Sequence, residues 1–277
     1  MRIDYSIGEV RPYINWTYFF HAWNMSGKPE SDQQQLRREA EERLERCGDT
    51  YRTHAVFQLF DAYSDGDDIV VSAEGSEADD ESRIPCLRQQ LTGSDCLCLA
   101  DFIPPRTTDG RQPAASQIGV FATTVDPGME TDFDRDPYEK MMMQLLADRL
   151  AEATAERMHE EVRKEYWGYA RDEQLSMADM LSERWQGIRP AVDYPSLPDT
   201  SLNFVIDRLI DMRQIGIRLT ESGAMKPHAS VSGLLMSHPQ ARYFALGKIG
   251  LDQLRDYARR RGLPVELMRK FLEGNIS

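Results

Sequence analysis

Apolar positions recur along this chain in two rhythms. Between residues 31 and 47 they fall at Leu36, Ala40 and Leu44, four apart among charged neighbours, with Gly48 behind them; that spacing predicts a helix with one buried stripe. Residues 54–60 and 68–73 alternate instead, and Ser64-Asp65-Gly66-Asp67 between them is a turn signal, so a hairpin is expected. Residues 95–103 and 116–125 read as two further strands, joined by the loop-forming run PPRTTDGRQPAAS. A long helix follows. Asp136-Pro137-Tyr138-Glu139 offers an N-cap, a proline at the first helical position and a glutamate at the third. Met142, Leu145, Leu146, Ala153, Met158 and Val162 then carry an apolar stripe to about residue 166, a span on the order of 45 Å at 1.5 Å per residue. Residues 176–185 predict a shorter helix capped by Ser176, and residues 201–215 an amphipathic helix stopped by Gly216. Residues 217–222, 229–236 and 243–249 read as an antiparallel meander, and residues 251–261 as a closing helix with Arg259, Arg260 and Arg261 at its dipole-favoured end. Strands and helices mix without a strict βαβ rhythm, and no repeat is visible. The expected fold class is therefore α+β, rich in antiparallel sheet, with residues 1–277 as a single domain.

Composition narrows the function. The chain has 277 residues, 41% hydrophobic and 29% charged, enough to bury a sizeable core. Lys and Arg number 33 against 46 Asp and Glu, a formal charge of −13, so a nucleic-acid or anionic-membrane partner is not expected. No apolar run approaches the ~20 residues of a membrane span, and the first twenty residues lack the apolar core of a signal peptide. Cys47, Cys86, Cys96 and Cys98 fit no zinc spacing; reduced thiols in a cytoplasmic protein are expected. There is no GxG, no P-loop, no GxSxG and no HExxH. One ExxH, Glu156 to His159, is half of a carboxylate-bridged metal motif without its second copy, and His159 reads as a polar-face histidine. Nine carboxylates lie in residues 61–82 without a Lys or Arg, which reads as a solvated loop edge.

Four places could carry chemistry. Residues 187–199 (GIRPAVDYPSLPD) hold three prolines around Tyr194 and follow Gly187 with Arg189, whose planar fork suits a carboxylate or phosphate. A loop with so little freedom loses little entropy on holding a ligand; a rigid connector is the equal alternative. Residues 219–236 are dominated by small side chains, which permit close approach of a backbone or a flat ligand, or tight sheet packing. In Arg242-Tyr243-Phe244 at an expected strand start, one aromatic should face the core and the other be free to stack. Asp148, Glu152 and His159 fall near one line of the long helix, a stripe that could hold a cation or simply be solvated.

Taken in order, RPYINWTYFFHAW, LADF at 99–102, LADRLAEATAERMHEEVRKEYWGYA at 146–170, GIRPAVDYPSLPD, LTESGAMKPHASVSG, SHPQARYFALGKI and DYARRRG resemble the activation domain of cobalamin-dependent methionine synthase, the reactivation module that binds S-adenosylmethionine. The resemblance implies a single curved α+β domain built on a twisted antiparallel sheet with flanking helices, one of them long and central. It implies that Arg189 binds the ligand carboxylate with the backbone of Pro190 and Ala191 nearby, that Tyr194 faces the corrin, and that Tyr243 and Phe244 contact the ligand. It further implies roles for Glu152 on the long helix and for Asn15, where the family has an Asp that binds the ligand's amino group. No residue is implied as an acid–base catalyst or a metal ligand.

Three departures go with the resemblance. Asn15 lacks the charge of the family's Asp, so that contact should weaken. Asp193 stands where the family has glycine before the tyrosine, a position that would cost strain if φ is positive. None of the five histidines lies in a DxHxxG motif and no Cys-Cys pair occurs, so the chain is not expected to bind cobalamin or activate homocysteine by itself. Cobalamin would then be carried by a methionine synthase module or a separate corrinoid protein, with a flavodoxin-type electron donor as a further partner. The expected function is to present the methyl donor for reductive remethylation of that cobalamin; the alternative is a non-catalytic docking subunit with a weakened ligand site.

Overall fold

The computed structural model describes residues 1–72, 81–93, 95–106 and 116–277. In chain order the described elements are β1 (Arg2–Ser6), α1 (Ile7–Val10), α2 (Trp16–Ala22), α3 (Glu30–Cys47), β2 (Arg52–Asp65), β3 (Asp68–Ser72), β4 (Ser82–Pro85), β5 (Gln117–Val125), α4 (Gly128–Thr131), α5 (Pro137–Glu161), α6 (Met177–Leu181), α7 (Asn203–Ile210), β6 (Arg218–Leu219), β7 (Met225–Lys226), β8 (Ser230–Leu235), α8 (Leu251–Arg261) and α9 (Val265–Phe271). Six strands form one sheet in the order β4-β3-β2-β5-β8, with β1 paired to β2; β6 and β7 make a separate ribbon. β1 with β2, β2 with β3 and β3 with β4 are antiparallel, the hairpin closing at Asp65↔Asp68. The fold is α+β, an antiparallel sheet with flanking helices of which α5 is the longest. β3 and β5 are buried at almost every position, so their sequences run continuously apolar instead of alternating.

Contacts divide the chain into two units of interleaved segments. The first comprises Met1–Phe57, Ala122–Trp185 and Ile210–Val231. Its centre is α5, begun as expected by the Asp136 carboxylate accepting the Tyr138 and Glu139 N–H groups. Met142, Met143, Leu146, Leu150 and Met158 are fully buried along it. The stripe Leu36, Ala40 and Leu44 of α3 is buried too, as its spacing requires. α5 ends at Glu161 and passes into a wider π turn over Val162–Tyr166, so its regular part is shorter than the apolar stripe suggested.

The second unit comprises Gln58–Phe121, Gln186–Leu209 and Ser232–Ser277. Leu246, Ile249, Leu254, Tyr257, Met268 and Leu272 form a buried cluster in it. α8 has the expected bounds and stops at Gly262, whose φ of 65° ends the helix in the left-handed region.

Local bonding overrode periodicity in several places. Residues 95–103 are not a strand: Leu99–Phe102 is a 3-10 turn, because the Asp101 carboxylate takes the Cys98 N–H and is held by Arg88. The helix expected over 201–215 is broken at Asp211, whose φ is 46°. Residues 217–222 shorten to the two residues of β6. Residues 243–249 form no strand. The helix expected to run to Trp185 stops at Leu181, and α9 had no clear sequence signal. Of the acidic run, residues 73–80 lie outside the described residues. Asp68 is buried, not solvated, and is held by Arg83 and Arg260.

Candidate functional site

Residues 187–199 form a strap rather than a free loop, and its bonds alternate. The Ile188 N–H and C=O pair with Met236 at 2.9 Å each. The Pro190 carbonyl accepts from Leu234 at 3.0 Å, and the Val192 N–H donates to Ser232 at 2.9 Å. Ile188, Pro190 and Val192 therefore turn backbone groups to β8 and the residue after it, and the Arg189 N–H turns away. Two glycines allow this closeness. A Cβ at Gly187 would lie 2.0 Å from the Met236 carbonyl oxygen, and one at Gly233 would lie 2.3 Å from the Pro190 oxygen. Gly187 also has a φ of 89°. The small residue at 233 thus serves close backbone approach, one of the two readings its sequence allowed.

The other edge of the strap is tied to residues 243–246. The Arg189 N–H donates to the Tyr243 hydroxyl at 2.9 Å. The Ser196 hydroxyl donates to the Phe244 carbonyl at 2.5 Å and accepts from the Phe244 N–H at 3.2 Å. The Leu246 N–H donates to the Pro195 carbonyl at 2.9 Å. A side chain consumes both backbone groups of Phe244, which is why this segment cannot join a sheet ladder. Tyr243 is exposed and Phe244 half-buried. The strap thus brings together Arg189, Pro190, Ala191, Tyr194, Tyr243 and Phe244 on one framework, with Tyr194 half exposed.

Asp193, at the position where the resemblance implies glycine, precedes Tyr194 with a φ of 72°, in the left-handed region. Its N–H donates to Leu197, and the Leu197 N–H donates to Tyr194, closing a tight turn beneath the tyrosine. Desolvation raises the Asp193 carboxyl above its ordinary value. At the end of the strap the buried Asp199 carboxylate takes the Ser201 N–H and hydroxyl and the Tyr257 hydroxyl, with Arg261 at 3.4 Å. The long-range half of this anchor was not legible in sequence, since Tyr257 lies 58 residues from Asp199.

Within the first unit, Asn15 caps α2: its side-chain oxygen accepts the Thr17 N–H at 3.1 Å. Glu152 accepts from Arg149 at 2.8 Å along α5. Asp148 is partly buried and its carboxyl is raised, chiefly by desolvation. His159 does not lie on a polar face: it is fully buried, with its ring edge-on to Trp185 at 5.3 Å. Packing encloses it: the Arg163 guanidinium, also fully buried, lies 4.9 Å over the same indole and forks onto Glu173. Among the described residues no group of three or more His, Cys, Asp or Glu is arranged to hold a metal ion, and no helix is long and apolar enough to cross a membrane.

A solved structure described as the MetH reactivation domain bound to AdoHcy shares the fold with a TM-score of 0.91 and 38% identity, over 100% of this chain and 90% of that one. Residues 6–262 match the family described as vitamin B12 dependent methionine synthase, activation domain. The chain therefore belongs to the activation-domain family of vitamin B12-dependent methionine synthases.

Proposed function

We propose that this domain binds S-adenosylmethionine and presents its methyl group to the reduced cobalt of a cobalamin carried by a partner module, restoring that cobalamin to its methylated state. The observation that supports it most is the strap. Arg189 sits between two residues pinned to β8, and its own N–H is held by Tyr243. A guanidinium on so fixed a backbone is suited to a carboxylate, and the aromatic faces beside it to a flat heterocycle. The residues present fit the ligand by donor chemistry: a cation for its carboxylate, and the backbone of Pro190 and Ala191 for polar edges. Asn15 and Glu152 are proposed as further contacts on the resemblance alone.

The ligand supplies an electrophilic methyl on a sulfonium sulfur. The protein's part is positioning, and no side chain need move a proton. Tyr194, presented on the turn that Asp193 closes, is proposed to face the corrin. The alternative is a docking subunit that keeps the fold while Asn15 and Asp193 blunt the ligand site. Asp193 has a positive φ and Asn15 caps α2, so both departures sit on well-defined local backbone and neither breaks the framework of the site. A flavodoxin-type electron donor and a cytoplasmic setting complete the proposal. Isothermal titration with S-adenosylmethionine tests it: binding is expected in the parent protein and a loss of at least tenfold in Arg189→Ala. No binding by the parent, or equal binding by the variant, removes the reading.

A further inference from the structure

We propose that Ser196 is a positioning residue of the ligand site: its hydroxyl sets where Tyr243 and Phe244 stand against the Arg189 strap. This rests on the function proposed above and gives a role to a residue of the GIRPAVDYPSLPD run to which the sequence assigned none. Ser196 is 7% exposed, and its hydroxyl makes two bonds to one residue, donating to the Phe244 carbonyl and accepting from its N–H. It therefore acts as a splint that satisfies both backbone groups of a residue belonging to no strand or helix. The neighbouring ties use main-chain groups or the ligand-facing ring itself: Leu246 to Pro195, and Arg189 to the Tyr243 hydroxyl. Ser196 is the side chain in this circuit that faces inward and is not itself proposed to touch ligand.

The consequence is directional. Without the hydroxyl, Phe244 carries a buried or half-buried N–H and C=O with no partner, and these groups turn toward water or toward each other's neighbours. Residue 243 is covalently next, and its hydroxyl is the acceptor for the Arg189 N–H. Displacing 243–244 loosens the backbone that carries the guanidinium. Ser196 thus acts on the ligand through Tyr243, and the two should be energetically coupled.

The test has two parts. In ligand-free protein, the amide resonance of Arg189 is compared between parent and Ser196→Ala by heteronuclear NMR. It should move, because its acceptor has moved; an unmoved resonance overturns the inference whether or not any ligand binds. With S-adenosylhomocysteine as probe, affinity is then measured for the parent, Ser196→Ala, Tyr243→Phe and the double variant, well below each melting temperature. Ser196→Ala should weaken binding on the order of tenfold, and that loss should shrink when Tyr243 already lacks its hydroxyl. Affinity unchanged in Ser196→Ala while its melting temperature falls would assign the residue a purely structural role, and strictly additive losses would do the same. A parent that fails to bind the probe counts against the proposed function, and the resonance of Arg189 still decides the role of Ser196.

Discussion

Gly233→Ala probes the contact on which the strap depends. The added methyl would sit 2.3 Å from the Pro190 carbonyl oxygen, 2.9 Å from the Ala191 Cα and 3.0 Å from a Phe121 ring carbon. The first two neighbours are backbone, so no flexible side chain can swing away. The oxygen is about 1 Å nearer than the 3.4 Å at which contact becomes ordinary. Moving the strap that far stretches its bonds from Leu234 and to Ser232, now 3.0 and 2.9 Å. Overpacking of this kind costs about 1–3 kcal/mol, and two weakened backbone bonds add about 1 kcal/mol each. A loss of about 3–5 kcal/mol corresponds to a fall in melting temperature on the order of 10 °C in a chain of this size. Gly274→Ala is the control, since a Cβ there meets nothing within 4 Å. Calorimetric melting and titration with S-adenosylhomocysteine read both effects. If Gly233→Ala melts within a degree of the parent and binds as well, the strap is not held as described.

Three further outcomes follow from individual residues. Asn15→Asp keeps the α2 cap and adds a negative charge, so titration should show tighter binding of S-adenosylmethionine with melting nearly unchanged; weaker binding would mean that residue 15 does not face the ligand's amino group. Asp193 has its carboxyl raised in the fold, so the stability tied to its protonated form is present in acid and lost as pH rises through the folded value. Asp193→Asn, which tolerates the same φ, should therefore equal or exceed the parent in denaturant melts at pH 7 and lose that advantage below about pH 4; the reverse trend would exclude burial as the cause. Arg163→Met leaves the Glu173 carboxylate, 10% exposed, without its fork, and should lower the unfolding free energy by about 3–5 kcal/mol; a loss under 1 kcal/mol would show that the pair is not buried in solution.

What the chain announced in one dimension was what short-range physics decides. The stripe Leu36, Ala40, Leu44, the cap Asp136-Pro137, the turn at Gly66 and the stop at Gly262 each depend on neighbours within a few residues, and each appears where expected. The strap was visible for the same reason, because proline fixes φ wherever it stands. Family resemblance supplied names for its residues, and periodicity could not. Tertiary structure alone decided that residues 243–249 leave the sheet, because Ser196 from 48 positions away takes both backbone groups of Phe244. It alone decided that His159 is interior, because Trp185 and Arg163 close over the face that local pattern read as polar. It also turned Gly233 from an ordinary small strand residue into the point where two backbones meet. Local bonding is written in adjacent residues, whereas a partner brought from a distant segment leaves no mark on the spacing around either one.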